Sequence, residues 1–220
     1  MIELHAVSRV FAAAGEPVRA IDAVSLHVNA GDGLVVRGPS GSGKSTLLHM
    51  LGLMLHPTGG VMEFDGQRPW SHTPAWRARV RRQRIGFVFQ RGHLLPWLSL
   101  RDNVMLAGID AAHAEALLDR VGLHARRGHR PGQVSGGERQ RAAVARALAG
   151  GSDVLLADEP TGTLDEANAR AVLDLLEEAR ADGAAVVLAT HGAADPGDKW
   201  ATISLERGCI VDPLETHTAC

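Results

Sequence analysis

The chain has 220 residues, 45% of them hydrophobic and 22% charged, with a formal net charge of −2. This is a globular composition, with enough chain for one substantial core or one core with a small subdomain. The near-balanced charge gives no electrostatic argument for nucleic acid, and the longest apolar runs, such as Ala184 to Ala189, are too short to span a bilayer. Cys209 and Cys220 have neither metal-ligand spacing nor a disulfide framework around them, so a reducing compartment is expected. The eleven histidines are scattered, and His113, His124 and His129 read as solvated surface.

From Met1 the sequence enters a polar/apolar alternation directly, with no stretch that reads as a signal peptide. Ile2 to Val7 and Ile21 to Val28 alternate as strands do, punctuated by Gly15-Glu-Pro17 and Asn29-Ala-Gly31-Asp-Gly33. Leu34 to Arg37 is a short buried strand. It runs into Gly38-Pro39-Ser40-Gly41-Ser42-Gly43-Lys44-Ser45, which fits G-x-x-x-x-G-K-[ST]. Thr46 to Leu51 then begins a helix, which Pro57-Thr-Gly59-Gly60 is expected to end. Strand, glycine loop and helix start form the setting in which this motif holds phosphate. Gly38, Gly41 and Gly43 let backbone N–H groups converge on phosphate oxygens, and the helix N-terminus adds its positive dipole end. Lys44 can reach the β- and γ-phosphates, and the Ser45 hydroxyl can ligate Mg²⁺.

Val61 to Gly66 is a further strand and turn. The run Arg77, Arg79, Arg81, Arg82, Arg84 reads as a solvated helix face, with contact to anionic lipid or to a partner's acids as the other reading. Ile85 to Phe89 is an apolar strand ending at Gln90. From Arg91 to Gly132 the chain turns His-, Arg- and Ala-rich, with helical spacing at Val104, Leu117, Leu118 and Val121, as in a helical subdomain inserted in an α/β domain. Trp97 lies in it, open to two roles: interface residue or core. Val134-Ser135-Gly136-Gly137-Glu138-Arg139-Gln140 opens a helix over Arg141 to Ala149. Ser135 and Glu138 form an S-x-x-E capping box, and the small residues at the helix start make a second anion site. One nucleotide needs one phosphate loop, so a second phosphate-recognising helix start suggests sharing between subunits.

Val154 to Ala157 is a buried strand ending in Asp158 and Glu159. Asp158 is placed to bind Mg²⁺, and Glu159 to take a proton from, or orient, an attacking water. Glu166 to Asp182 is a helix with Asp165 as N-cap, a stripe of Val172, Leu173, Leu176 and Ala179, and Gly183 closing it. Ala184 to Ala189 is another buried strand, and Thr202 to Leu205 with Ile210-Val211 a terminal hairpin. The alternation of strands with helices predicts an α/β fold with a mainly parallel sheet and an antiparallel β edge.

At these residues the chain resembles the ATP-binding-cassette ATPases. The phosphate loop matches their Walker A, Val134 to Gln140 their signature, Val154 to Glu159 their Walker B, Gln90 their Q-loop, Gly162-Thr-Leu-Asp165 their D-loop and His191 their switch histidine. The match runs from Met1 nearly to the C-terminus. It implies a P-loop NTPase fold and one ATPase domain over 1–220, with residues 1–90 and 151–220 as nucleotide-binding core and 91–150 as the helical subdomain. It implies ATP and Mg²⁺ as cofactors, bound in a head-to-tail homodimer, or with a paired ATPase subunit. Gly38, Pro39, Ser40, Gly41, Ser42, Gly43, Lys44, Ser45 and Thr46 of one subunit would face Ser135, Gly136, Gly137 and Asp165 of the other. The resemblance further implies catalytic roles for Glu159 as base, His191 at the γ-phosphate, Gln90 and Lys44, with Ser45, Gln90 and Asp158 at the metal.

The stretch Leu156 to Asp165, and Gly86 to Gln90 with Leu94-Leu-Pro96, look closest to the lipoprotein-releasing, macrolide-export and cell-division subgroup. Such subunits pair with integral membrane permeases with large extracytoplasmic domains. The resemblance therefore implies peripheral association with the cytoplasmic face of a bacterial inner membrane, and export or a non-transporting, force-transmitting complex. A soluble repair or translation cassette would carry coiled-coil insertions, tandem cassettes or zinc modules; a P-loop kinase would need neither Ser135-Gly137 nor His191. Four positions depart from the usual pattern. Phe11 stands where an adenine-stacking Tyr is common, open to stacking or to a core role. Val134 replaces Leu. His191 is followed by Gly192-Ala-Ala-Asp195-Pro196 rather than directly by Asp. The segment from Asn103 to Glu115 is short, which implies a smaller docking surface for the permease.

Overall fold

The computed structural model describes residues 1–12, 15–90, 92–162, 164–191 and 196–212. In chain order its strands are β1 (Ile2–Phe11), β2 (Val18–Val28), β3 (Gly33–Arg37), β4 (Gly59–Phe64), β5 (Ile85–Val88), β6 (Val154–Asp158), β7 (Ala185–Thr190), β8 (Trp200–Glu206) and β9 (Cys209–Asp212). Its helices are α1 (Lys44–Leu51), α2 (Pro74–Arg84), α3 (Leu100–Met105), α4 (Ala111–Arg120), α5 (Gly136–Leu148) and α6 (Glu166–Ala181).

Every residue of β6 and β7 is buried. Continuous apolar runs of this kind fit a parallel sheet covered on both faces. The main sheet has the order β5-β6-β7-β3-β8-β9, all parallel except β9, which pairs antiparallel with β8. The early antiparallel strands do not extend that edge. They form a separate sheet, β2-β1-β4, whose long first hairpin carries several register shifts.

Period-two alternation divides the core. Leu34, Val36, Leu156 and Val187 face α1 and the antiparallel sheet. Val35, Leu155, Val186 and Leu188 face α5 and α6, and the apolar residues of α3 and α4, Val104 and Leu118 among them, join that same layer. The helical segment shares its core with the sheet. Among the described residues no helix is long and apolar enough to cross a membrane.

Two details differ from the sequence reading, and a third, at Trp97, closes an alternative it left open. α1 ends at Leu51, with Gly52 as C-cap, well before Pro57; Gly52 packs closely against Leu156 of β6, where a Cβ would stand 3.2 Å from Leu156 Cδ1. The arginine run is only partly solvated. Arg84 pairs with Asp65 and Asp153 and lies over Phe64, Arg81 donates to the Leu53 carbonyl, and Arg77 donates to the Pro69 and His72 carbonyls and covers Trp70. Trp97 is 64% exposed in the turn before α3, which excludes the core role. His113 and His124 are exposed beside Asp110 and Asp119, and among the described residues no cluster of His, Cys, Asp and Glu could hold a metal ion.

Candidate phosphate-binding site

Four neighbouring parallel strands, β5, β6, β7 and β3, end on the same edge of the sheet, and the chain leaves each end with a chemically active residue. In open α/β sheets ligands bind outside these carboxyl ends. β5 leads to Gln90, β6 ends in Asp158 and leads to Glu159, β7 leads to His191, and β3 leads to the glycine loop. Ser40, Gly41, Gly43, Lys44, Ser45, Thr46, Gln90, Glu159 and His191 line one cavity of about 440 Å³, together with Ala20 of β2. A cavity of this size holds a small polar ligand.

The loop is a cradle without side chains. Gly43 is the N-cap of α1 at φ 108, and a Cβ there would lie well inside van der Waals contact with the Ala20 carbonyl. The N-terminus of α1 has no side-chain cap and no acid in its first turn, so its N–H groups remain for an external anion. Lys44 is 6% exposed; its ammonium donates to the carbonyls of Gly38 at 2.7 Å and Pro39 at 3.0 Å. A buried ammonium requires such partners. Its third neighbour is Glu159 Oε1, at 3.7 Å.

Glu159 is the junction of the site. Its backbone N–H donates to Ala189 at 2.9 Å, extending the β6–β7 ladder by one bond. Its Oε2 lies 2.6 Å from His191 Nδ1, and the side chain of His191, which lines the cavity, is 58% exposed. Glu159 has φ 49 although Pro160 follows it, a left-handed conformation rare for such a residue. Strain of this kind costs about 1–3 kcal/mol and clusters at functional sites. Asp158 Oδ1 is buried and, among the described residues, has no hydrogen-bond partner. A buried carboxylate oxygen left open in this way suits a hard cation such as Mg²⁺.

Other predicted residues lie elsewhere. Phe11 is half-exposed on β1 with the Arg9 guanidinium 4.6 Å from its ring centre, and it does not line the cavity. Ser135, Gly136, Gly137 and Asp165 are also outside it. Ser135 caps α5, its Oγ accepting from Glu138 N while Glu138 accepts from Ser135 N. That backbone bond, with Arg126 beyond it, holds the Glu138 carboxyl down to about 2. Asp165 caps α6 as expected. The stretch 192–195 after His191 lies outside the described residues.

Sequence reasoning missed how α5 grips the loop after β5. Gln140, buried on an otherwise Ala- and Val-rich face, donates to the Phe89 carbonyl at 3.2 Å. Arg146 donates to the Gly92 and His93 carbonyls, both at 2.8 Å, and burial lowers its pKa. A polar residue in the apolar stripe was the available signal for Gln140; Arg146 had none.

Residues 21–162 match the ABC transporter family. Relatives include the macrolide export ATP-binding/permease protein MacB of Rhodospirillum rubrum, 44% identical over 96% of this chain and 34% of that protein. The probable syringafactin export ATP-binding/permease protein SyfD of Pseudomonas syringae is 41% identical over 87% of this chain and 30% of that protein. The chain spans about a third of the length of these relatives. Among solved structures, the ATP-binding cassette MJ0796, a dimer in a post-hydrolysis state bound to ADP and Pi, matches with a TM-score of 0.90 and 33% identity, over 96% of this chain and 97% of that one. Taken with the geometry of the sheet edge, these likenesses lead to one conclusion: the chain belongs to the ABC transporter family.

Proposed function

We propose that this cassette drives a membrane permease with a large extracytoplasmic domain, in a complex of the export or lipoprotein-release type. It works at the cytoplasmic face of a bacterial inner membrane, held there through the permease. Two copies, or this chain and a paired ATPase subunit, close head to tail around two ATP molecules. Residues 1–90 and 151–220 act as the nucleotide-binding core, and 91–150 as the helical subdomain that meets the permease. The names of the relatives, export ATP-binding/permease proteins, support the direction of transport. The dimeric MJ0796 cassette supports the assembly.

The observation that carries the reading is the convergence of the β5, β6, β7 and β3 ends on Lys44, Glu159 and His191. Lys44 leaves the Gly38 and Pro39 carbonyls for the β- and γ-phosphates, which the loop N–H groups of residues 38–46 surround. That move also frees Glu159 Oε1. Glu159 then accepts the proton of the attacking water, and His191, already 2.6 Å from Glu159, donates towards the γ-phosphate. Ser45, Asp158 and Gln90 would hold Mg²⁺, which when bound neutralises charge on the phosphoryl oxygens. Phe11 stacks on the adenine. Ser135, Gly136, Gly137 and Asp165 complete the site of the partner subunit.

Glu159→Gln tests this reading. It removes the base and keeps the metal ligands, so ATP binding persists while turnover falls by about 10²–10⁴-fold. A stable ATP-bound dimer then appears in light scattering. Hydrolysis at the wild-type rate would overturn the assignment of Glu159 as base, and a strictly monomeric ATP-bound variant would overturn the dimer.

A further inference from the structure

The side-chain amide of Asn168 joins the two surface elements that face the partner's nucleotide in the proposed dimer. Asn168 lies in the first turn of α6. Its backbone N–H donates to Asp165 Oδ1 at 2.8 Å, and its Nδ2 donates to Asp165 Oδ2 at 2.6 Å. Its Oδ1 accepts from the guanidinium of Arg141 on α5, whose Nε donates to the Val121 carbonyl at 2.9 Å. Gly137, four residues before Arg141 and so on the same face of α5, packs on this amide; a Cβ at Gly137 would stand 3.3 Å from Asn168 Cγ. The backbone and side-chain donors of Asn168, and then the Arg141 charge, hold the Asp165 carboxyl below its usual range. Ser135 and Asp165 are themselves exposed, and neither Asn168 nor Arg141 lines the phosphate cavity of its own chain.

We propose that Asn168 is a positioning residue for ATP hydrolysis in the partner subunit. It locks the Ser135–Gly137 turn and Asp165 into one unit, so that both reach the partner's nucleotide in fixed register. An amide is suited to this place because it accepts from a cation on one side and donates to a carboxylate on the other. Aspartate would repel Asp165, and alanine would break both links while leaving the Asp165 cap on the Asn168 backbone N–H intact. α6 therefore keeps its N-terminus in the alanine variant. The proposal rests on the shared-site reading above.

Misplacing a reacting constellation by about 1 Å can cost on the order of 100-fold. Asn168→Ala is accordingly expected to lower kcat about 10- to 100-fold, with ATP affinity of the monomer and melting temperature unchanged. Mixed dimers locate the lesion. When Asn168→Ala chains are combined with Lys44→Ala chains, a partner-directed role puts both defects at one site and leaves the other composite site whole. Activity per Asn168→Ala chain then rises above that of Asn168→Ala alone. If Asn168 serves only its own chain's nucleotide or its own fold, mixing gives no rise and the proposal is overturned. A Ser135→Arg and Lys44→Ala mixture run in parallel separates the two levels. Recovery there without recovery for Asn168→Ala rejects only the role of Asn168; no recovery in either rejects the shared site and this proposal with it.

Discussion

α1 and α5 both present a helix N-terminus, and they dispose of its N–H groups in opposite ways. At α1 the cap is Gly43, without a side-chain bond and without an acid in the first turn. At α5 the cap is Ser135 in a full capping box, and Glu138 already places an ionised carboxylate against the helix dipole. The first helix spends no donors on itself and suits a polyphosphate. The second is largely satisfied from within and can stand exposed at a surface, offering a hydroxyl and two glycines. The same dipole is thus left open to an external anion in one place and answered by the chain's own capping box in the other.

Three experiments bear on that contrast. The largest effect is expected at α1. In Gly43→Ala the new Cβ must displace the Ala20 carbonyl and adopt a left-handed φ, so ATP binding is lost in equilibrium titration and stability falls by about 1–3 kcal/mol. Normal nucleotide affinity in that variant would break the comparison on the α1 side. At α5 the effect is smaller. Glu138→Ala removes half of the capping box and costs about 1 kcal/mol, while monomer ATP affinity stays unchanged. The sign of its pH dependence follows from the lowered carboxyl. In the wild type this contribution is complete above the usual value of 4.5 and is lost as pH falls towards about 2. Acid denaturation curves of wild type and Glu138→Ala should therefore converge across that window; a constant gap would show that the carboxylate charge plays no part.

The smallest effect on the cassette itself is expected at Trp97. The residue is 64% exposed, so Trp97→Ala leaves no cavity and stability moves by no more than about 0.5 kcal/mol. Basal hydrolysis persists, and stimulation by a reconstituted permease falls if this Trp docks the partner. Undiminished stimulation would take Trp97 out of the interface.

Much of the molecule was legible in the sequence because its interactions are short in range. The glycine loop, the Ser135–Glu138 box and the Asp165 cap each close over three to six residues, so residue types at fixed spacing suffice to specify them. The continuous apolar runs of β6 and β7 likewise announced a sheet covered on both faces. The end of α1 was misplaced because the chain turns out of the helix at Leu53, which takes a left-handed φ of 54 that its residue type does not announce. The arginine run looked solvated because the partners of Arg84, Asp65 and Asp153, lie 19 and 69 residues away along the chain.

The meeting of distant groups, by contrast, is settled by packing in three dimensions. Strand order brings Gln90, Asp158, Glu159 and His191 to Lys44, and no local pattern encodes that β6 lies between β5 and β7. The bonds of Gln140 to Phe89, Arg146 to His93 and Arg141 to Asn168 bridge 51, 53 and 27 residues. Hydrogen bonds of that span exist only after the sheet and helices have packed, when the cost of closing long loops has already been met by the burial of the core. The chemistry of the phosphate loop and the helix caps is written locally, because their partners are neighbours along the chain. The packed sheet decided which of those pieces would face one nucleotide, because that depends on partners the chain meets only in space.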